Sequence, residues 1–372
     1  MRIHIKDLPK QIAINYSAGV NMSLASKPAL GKTYGVFGAH KVIQHYEPDV
    51  QLALCDMATM SPNDIVVYMP DPKTGTLVAY PNAELPNHYT HPKSKGIFFI
   101  DEYGLGDPTT ISATQKYINR ESIGGKLRMP DGWMVVGATN RLSDKSNVRQ
   151  QPRAWLSRME QWQAYSTPDY DLKIAGDNEY FPIVVQFMKA FPHLIDNYET
   201  VFEPPKKDPM NEGDRALVTE EGRYGVWANK RSWKRLSDIE YTCAKMHAPL
   251  NLMRPLANLG QGVGQQYMTY RATQESMLNI DDILKDPKGV RIPDRMDQLY
   301  ITMCMLAALV KDTQLKAVST YIDRVGGDMR VMVVQRMAAR WRKEGVDFNL
   351  KNAPDFKQWV KDPAFSDLVM GV

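Results

Sequence analysis

The sequence predicts an α/β fold: a parallel-sheet core with a β-hairpin insertion, followed by a helical lid and a helical C-terminal region. Three observations predict it. Short apolar runs alternate with helical stretches over about the first 165 residues. A Gly-Lys-Thr loop follows the first of these runs, and a later run stops on two adjacent carboxylates. From about Ser166 the apolar spacing becomes mostly helical. The expected boundaries are 1–165 for the core, 166–250 for the lid and 251–372 for the C-terminal extension.

The elements follow in order. Val20 to Leu24 reads as a short buried strand, and a helix opens after the loop, over Lys32 to Val42. Gln51 to Asp56, Ile97 to Ile100 and Met134 to Ala138 read as further strands, with a helix over Thr110 to Glu121. Ile65-Val66-Val67-Tyr68 and Thr76 to Tyr80 flank Asp71-Pro72-Lys73-Thr74-Gly75, a turn composition that predicts a hairpin inserted between the second and third core strands. Beyond the core, helices are expected over Pro182 to Ala190, Arg231 to Lys245, Gln298 to Val310, Gln314 to Val325 and Met329 to Arg342. Val201 to Arg223 reads as a charged loop, and Asn279 to Asp294 as a polar break.

The bulk composition excludes several classes. The 372 residues are 43% hydrophobic and 24% charged with a net charge of +4, an ordinary globular balance without a nucleic-acid tail. Cys55, Cys243 and Cys304 are far apart, which reads as reduced thiols of a cytoplasmic protein. His88 and His91 have a metal-like spacing without further ligands and read as surface histidines. No apolar run approaches the ~20 residues of a membrane span, and no signal peptide is visible.

Two segments carry chemistry. Ser26-Lys27-Pro28-Ala29-Leu30-Gly31-Lys32-Thr33 is a loop whose amides and Lys32 are suited to cradling phosphates. Its nucleotide-binding residues are expected to be Ser26, Pro28, Ala29, Leu30, Gly31, Lys32, Thr33 and Tyr34. Glycine lets backbone amides approach phosphate closely. Here Ser26 stands at the first glycine of the pattern, and Ala29 where a related pattern has another. In Gly96 to Glu102 an apolar strand ends on Asp101 and Glu102. Two carboxylates after such a run are costly unless they serve a cation or a base. Thr33 and Asp101 are assigned to magnesium, and Glu102 to the attacking water. Val135 to Arg141 then ends a strand on Thr139 and Asn140, aiming the Asn140 amide at the water or the terminal phosphate.

The order Gly-Lys-Thr, apolar-Asp-Glu, Ala-Thr-Asn and then Pro152 to Met159 resembles the AAA+ ATPases. The hairpin over Asp64 to Leu85 looks like an insertion of the MoxR-type branch. Asn229-Lys230-Arg231-Ser232-Trp233 resembles a lid motif of phage and bacterial MoxR-like ATPases, and Gly260 to Tyr270 a helix that follows it. The resemblance covers about residues 15 to 275. It implies Walker A roles for Lys32 and Thr33, Walker B roles for Asp101 and Glu102, and a sensor role for Asn140. It also implies an arginine finger at Arg158, with Arg153 in reserve, and a second sensor at Arg231. ATP and Mg2+ are the implied cofactors, and a six-membered homo-oligomeric ring the implied assembly.

The leading functional expectation is an ATP-driven remodeller, a chaperone-like ring acting on a partner protein. The resemblance suggests a partner with a von Willebrand A-type domain, gripped through the loop Gly124 to Pro130. One alternative is a nucleic-acid motor or loader, with Lys126 and Arg128 facing a central channel. The other is a slow nucleotide switch, excused from rapid turnover by Ser26 and Ala29.

Overall fold

The structure is a computed structural model. It describes residues 1–82, 85–87, 94–119, 128–144, 148–149, 153–202, 226–246, 248–275 and 280–345. The chain forms two compact units, Met1–Tyr170 and Asp171–Val372.

The first unit is built in the order β1 (Arg2–His4), α1 (Leu8–Ala18), β2 (Met22–Ser26), α2 (Lys32–Gln44), β3 (Gln51–Asp56), α3 (Pro62–Ile65), β4 (Val66–Pro70), β5 (Leu77–Pro81), β6 (Gly96–Asp101), α4 (Pro108–Ile118), β7 (Trp133–Asn140), α5 (Arg153–Leu156) and β8 (Glu160–Tyr165). Six strands form one parallel sheet in the order β1-β8-β2-β7-β6-β3. The α/β expectation therefore holds. Parallel strands covered on both faces read as continuous apolar runs, and the β6 side chains divide by parity. Ile97 and Phe99 join Leu8, Ile12, Val36 and Ile43 of α1 and α2 on one face. Phe98 and Ile100 join Ile111, Tyr117 and Trp155 on the other.

β2 starts two residues later than the sequence suggested. Gly19 closes α1 in the left-handed conformation at φ 67°, and the Val20 amide donates back to the Asn15 carbonyl. Val20 is thereby spent on the cap, and Asn21 Oδ1 accepts from the Val135 amide at 2.9 Å. The edge pair β1 and β8 escaped the sequence reading, as did α1. The β8 sequence EQWQAY offers only Trp162 and Ala164 as apolar anchors before its final Tyr165. α1 and α2 pack closely: a Cβ on Gly35 would lie 2.5 Å from Leu8 Cδ2, so only glycine fits without a shift.

The predicted insertion is present. β4 and β5 pair antiparallel, Val66 opposite Pro81 through Pro70 opposite Leu77, around a turn in which Gly75 adopts φ 66°.

α6 (Pro168–Asp177) carries the chain into the second unit. There follow α7 (Pro182–Ala190), α8 (Tyr198–Phe202), α9 (Lys230–Lys245), α10 (Met253–Leu259), α11 (Gln261–Glu275), α12 (Ile280–Lys285), α13 (Met296–Leu309), α14 (Leu315–Ile322) and α15 (Gly327–Lys343). The five expected helices are all present within a few residues. The polar break at Asn279 to Asp294 is corrected: it contains α12, pinned by the fully buried Ile283. Of the charged loop, only Val201 and Phe202 are described, at the end of α8. Two apolar cores organise this unit, one around Phe187, Trp233 and Tyr267, the other around Met303, Tyr321 and Met337. α13 is apolar on most sides because it serves both, through Ile301 in the first and Met303 in the second.

Candidate functional site

The carboxyl ends of β2, β7 and β6 build the site. Ser26 closes β2 opposite Asn140 of β7, and Ile100 of β6 lies opposite Gly137 of β7. The register therefore brings the Gly-Lys-Thr loop, Asn140 and the two carboxylates to one edge of the sheet, the edge at which open α/β sheets bind ligands.

The loop between β2 and α2 turns on two left-handed residues, Ala29 at φ 60° and Gly31 at φ 103°. Gly31 caps the start of α2, a helix of 13 residues. The first-turn amides of such a helix lack intrahelical acceptors and favour an anion. Leu30 is buried in the core and anchors the loop. Pro28 is half-buried, whereas Tyr34 is 82% exposed at the start of α2.

Lys32 is only 7% exposed. Its Nζ donates to Ser26 Oγ at 3.1 Å and to Asn140 Oδ1 at 3.1 Å. Ser26 Oγ in turn donates to the Lys27 carbonyl. Thr33 Oγ1 donates to Asp101 Oδ2 at 3.0 Å, and Asp101 Oδ1 accepts from the Glu102 amide at 3.0 Å. Glu102 adopts φ 48° and ψ 35°, a left-handed conformation rare for a residue with a side chain. Its carboxylate accepts from Asn140 Nδ2, at 3.2 Å to Oε2 and 3.4 Å to Oε1. Burial raises the Glu102 pKa above its ordinary 4.5; the Lys32 charge opposes this, the Asp101 and Asp56 charges add to it, and the Asn140 bond opposes it. A carboxyl held above the usual range is suited to accepting a proton in catalysis.

The donor set fits magnesium. Thr33 and Asp101 present a hydroxyl and a carboxylate, hard oxygen ligands, side by side. Among the described residues no cluster of three or more His, Cys, Asp or Glu side chains could hold a metal. Magnesium is typically bound by one or two protein oxygens and completed by phosphates and water.

The structure thus joins Ser26, Lys32, Thr33, Asp101, Glu102 and Asn140 through hydrogen bonds. Arg158 and Arg153 stand outside this network. Arg158, just past α5, is exposed, and its Nη1 donates to the Ala154 carbonyl at 2.7 Å. Arg153 is exposed at the first residue of α5. Arg231 is exposed in the first turn of α9 in the second unit, its amide donating to Asn229 Oδ1. The neighbours of Arg231 in the Asn229 to Trp233 motif have structural roles: Asn229 and Ser232 form a reciprocal cap, and Trp233 fills the core. His88, His91 and residues 124–127 of the expected gripping loop lie outside the described residues. Of the rest of that loop, Arg128 is exposed and Met129 is buried in the core.

One neighbour of the site was missed from sequence. Tyr103, directly after Glu102, is buried, and its hydroxyl lies 2.6 Å from Ser23 Oγ. The only signal was its place beside the carboxylates.

No helix among the described residues is long and apolar enough to cross a membrane. No family model and no curated protein matches the chain. Among solved structures, the chain is similar to a protein from Cytophaga hutchinsonii ATCC 33406 described provisionally as an ATPase. That match has 9% identity and a TM-score of 0.32, over 100% of this chain and 90% of the other. It is also similar to NtrX from Brucella abortus, at 13% identity and a TM-score of 0.37, over 98% of this chain and 67% of the other. Likeness at this level carries no argument about activity, which rests on the geometry of the site.

Proposed function

We propose that the protein is a magnesium-dependent ATPase of the AAA+ type, working as a MoxR-like ring that remodels a partner protein. The observation that carries the hydrolytic part is the single hydrogen-bonded network joining Lys32, Thr33, Asp101, Glu102 and Asn140 at the carboxyl edge of a parallel sheet. In this reading the amides of the loop and of the first turn of α2 bind the phosphates, and Lys32 places its charge on the terminal ones. Thr33 and Asp101 would hold a magnesium ion, which would supply charge neutralisation to the phosphates. Glu102 accepts the proton of the attacking water, and the Asn140 amide orients that water or the departing phosphate.

The ring and the remodelling role rest on the motif resemblance. Arg158 and Arg153 are exposed on the surface of the first unit, as a finger reaching a neighbouring copy must be. Such a finger supplies about 10³–10⁵ in rate in related phosphoryl-transfer systems. The deciding experiment measures ATPase rate against protein concentration, with mass photometry on the same samples with and without ATP. A rate that rises cooperatively as a ring forms supports the proposal. Hydrolysis at a constant specific rate by a monomer removes the ring, and absence of hydrolysis at every concentration removes the ATPase.

A second reading, the slow nucleotide switch, is favoured by one observation: Ser26 Oγ occupies a hydrogen bond of Lys32 that a phosphate oxygen would take. Tight binding without turnover in the same experiment selects it.

A further inference from the structure

Ile100, Gly137 and Ser23 form one rung across β6, β7 and β2. Tyr103 emerges three residues beyond Ile100 and folds back over this rung. Gly137 makes room for it: a Cβ there would lie 2.9 Å from the Tyr103 ring. The ring passes over the bare backbone of β7, and its hydroxyl reaches Ser23 on β2 at 2.6 Å. On its other side the ring stacks on Trp155 of α5, with centroids 5.7 Å apart and planes inclined by 30°. Tyr103 is 3% exposed and Ser23 is 1% exposed, so this bond is shielded from water.

The residue before Tyr103 is Glu102, held in the left-handed region. A non-glycine residue persists there only when its surroundings over-determine it. Further constraints hold the same turn: the Gly104 carbonyl accepts from the Arg149 amide at 2.8 Å, and a Cβ on Gly104 would collide with Thr139 Oγ1.

The geometry points to Tyr103 as a positioning residue for Glu102, locking the carboxylate turn to the strand that carries the phosphate loop. This inference rests on the ATPase reading and deepens it. Ser23 lies three residues before Ser26 on the same strand, so the bond fixes the backbone of Glu102 relative to the strand that leads into the phosphate loop. The tie acts on the placement of the catalytic carboxylate and not on nucleotide affinity. Trp155 extends the same contact to the helix that bears Arg153.

The test uses the full chain and Mg·ATP as the probe. Wild type and Lys32→Ala are assayed first for nucleotide binding and turnover; if wild type does not hydrolyse, the ATPase reading fails and this inference with it. With turnover established, Tyr103→Phe and Ser23→Ala each remove the bond and leave the fold's packing nearly unchanged. Each is expected to lower kcat about tenfold, with the Kd for ATP within about twofold of wild type. The double variant is expected to match the single ones, because both remove one interaction. Thermal unfolding is followed in parallel and the rates are read well below the midpoints. Variants that lose thermal stability yet keep the wild-type kcat overturn the inference and leave the pair structural. So does a double variant whose losses multiply to about a hundredfold, and so does a loss confined to nucleotide affinity. Either of the last two results leaves the ATPase reading standing.

Discussion

Asn140 bridges Lys32 and Glu102: its carbonyl oxygen accepts from the lysine at 3.1 Å while its amide nitrogen donates to the carboxylate at 3.2 Å. A neutral amide between opposite charges holds both without neutralising either. In the proposed reaction this leaves Glu102 available to take a proton, and Lys32 to meet phosphate. The division of labour gives the first prediction. Glu102→Gln preserves shape and removes the proton acceptor, so ATP binding is expected to persist while hydrolysis falls about 10²–10⁴-fold. Equilibrium nucleotide binding and phosphate release on the same preparation check it. A variant that hydrolyses at the wild-type rate assigns the base elsewhere.

The raised pKa of Glu102 fixes the sign of a pH dependence. The group must be ionised to accept a proton, and burial shifts its titration above 4.5. The acid limb of kcat/KM, which reports the nucleotide-free protein, is therefore expected above the ordinary glutamate range. Asn140→Ala removes a hydrogen bond that favours the ionised form, so the limb moves to still higher pH. Stability follows the same linkage. A carboxyl whose folded pKa is raised contributes stability that is present below its unfolded pKa and lost as pH rises through the folded one. Unfolding of Glu102→Gln is accordingly expected to show a weaker loss over that window than wild type. Rate and denaturation profiles across the acid range check both statements.

The places of the candidate site residues on the fold were legible because their motifs sit at the ends of short apolar runs. Lys32, Thr33, Asp101 and Asn140 fall where the motifs place them, on strand ends and on the first turn of a helix. The apolar strands β3, β6 and β7 were legible for a related reason: burial on both faces leaves no polar alternation. β8 was not, because Gln161 and Gln163 stay exposed along it, and the pattern then resembles a surface segment. Tyr103 was illegible for a different reason. Its role depends on Gly137 and Ser23, which are 34 residues after it and 80 residues before it, and only the parallel register brings the three together. The exposed arginines could be read from sequence only by resemblance, since no local pattern distinguishes Arg158 from an ordinary surface arginine.

Ser26 and Ala29 depart from glycine, and their geometry separates the two effects. Ser26 Oγ accepts one bond of the buried Lys32 and so competes with phosphate for that donor. Ser26→Gly is expected to tighten ATP binding by about threefold to tenfold, the worth of one modest hydrogen bond. Calorimetric titration with ATP and with a non-hydrolysable analogue measures it. Unchanged or weaker affinity would mean that the hydroxyl helps to hold the loop open for phosphate.

Ala29 gives a stability prediction. At φ 60° a side chain costs about 1–2 kcal/mol relative to an allowed conformation, and glycine escapes that cost while losing more entropy on folding. Ala29→Gly is expected to stabilise the protein by about 0.5–1 kcal/mol. Denaturant unfolding of the nucleotide-free chain checks the sign.

Arg158 decides whether hydrolysis depends on assembly. Its guanidinium is exposed and donates to the Ala154 carbonyl of its own segment, so it is accessible to a neighbouring copy. Arg158→Ala is expected to bind ATP with wild-type affinity and to lose hydrolysis by about 10³-fold or more. The discriminating measurement mixes this variant with Lys32→Ala. The first supplies an intact phosphate loop and the second an intact finger, so mixed assemblies regain turnover although each protein alone is inactive. Recovery on mixing identifies a finger supplied in trans. Two inactive proteins that stay inactive when mixed, despite forming joint assemblies by mass photometry, place Arg158 in its own chain's structure instead. A variant that retains the wild-type rate by itself moves the role to Arg153, and the same mixing experiment then applies to that residue.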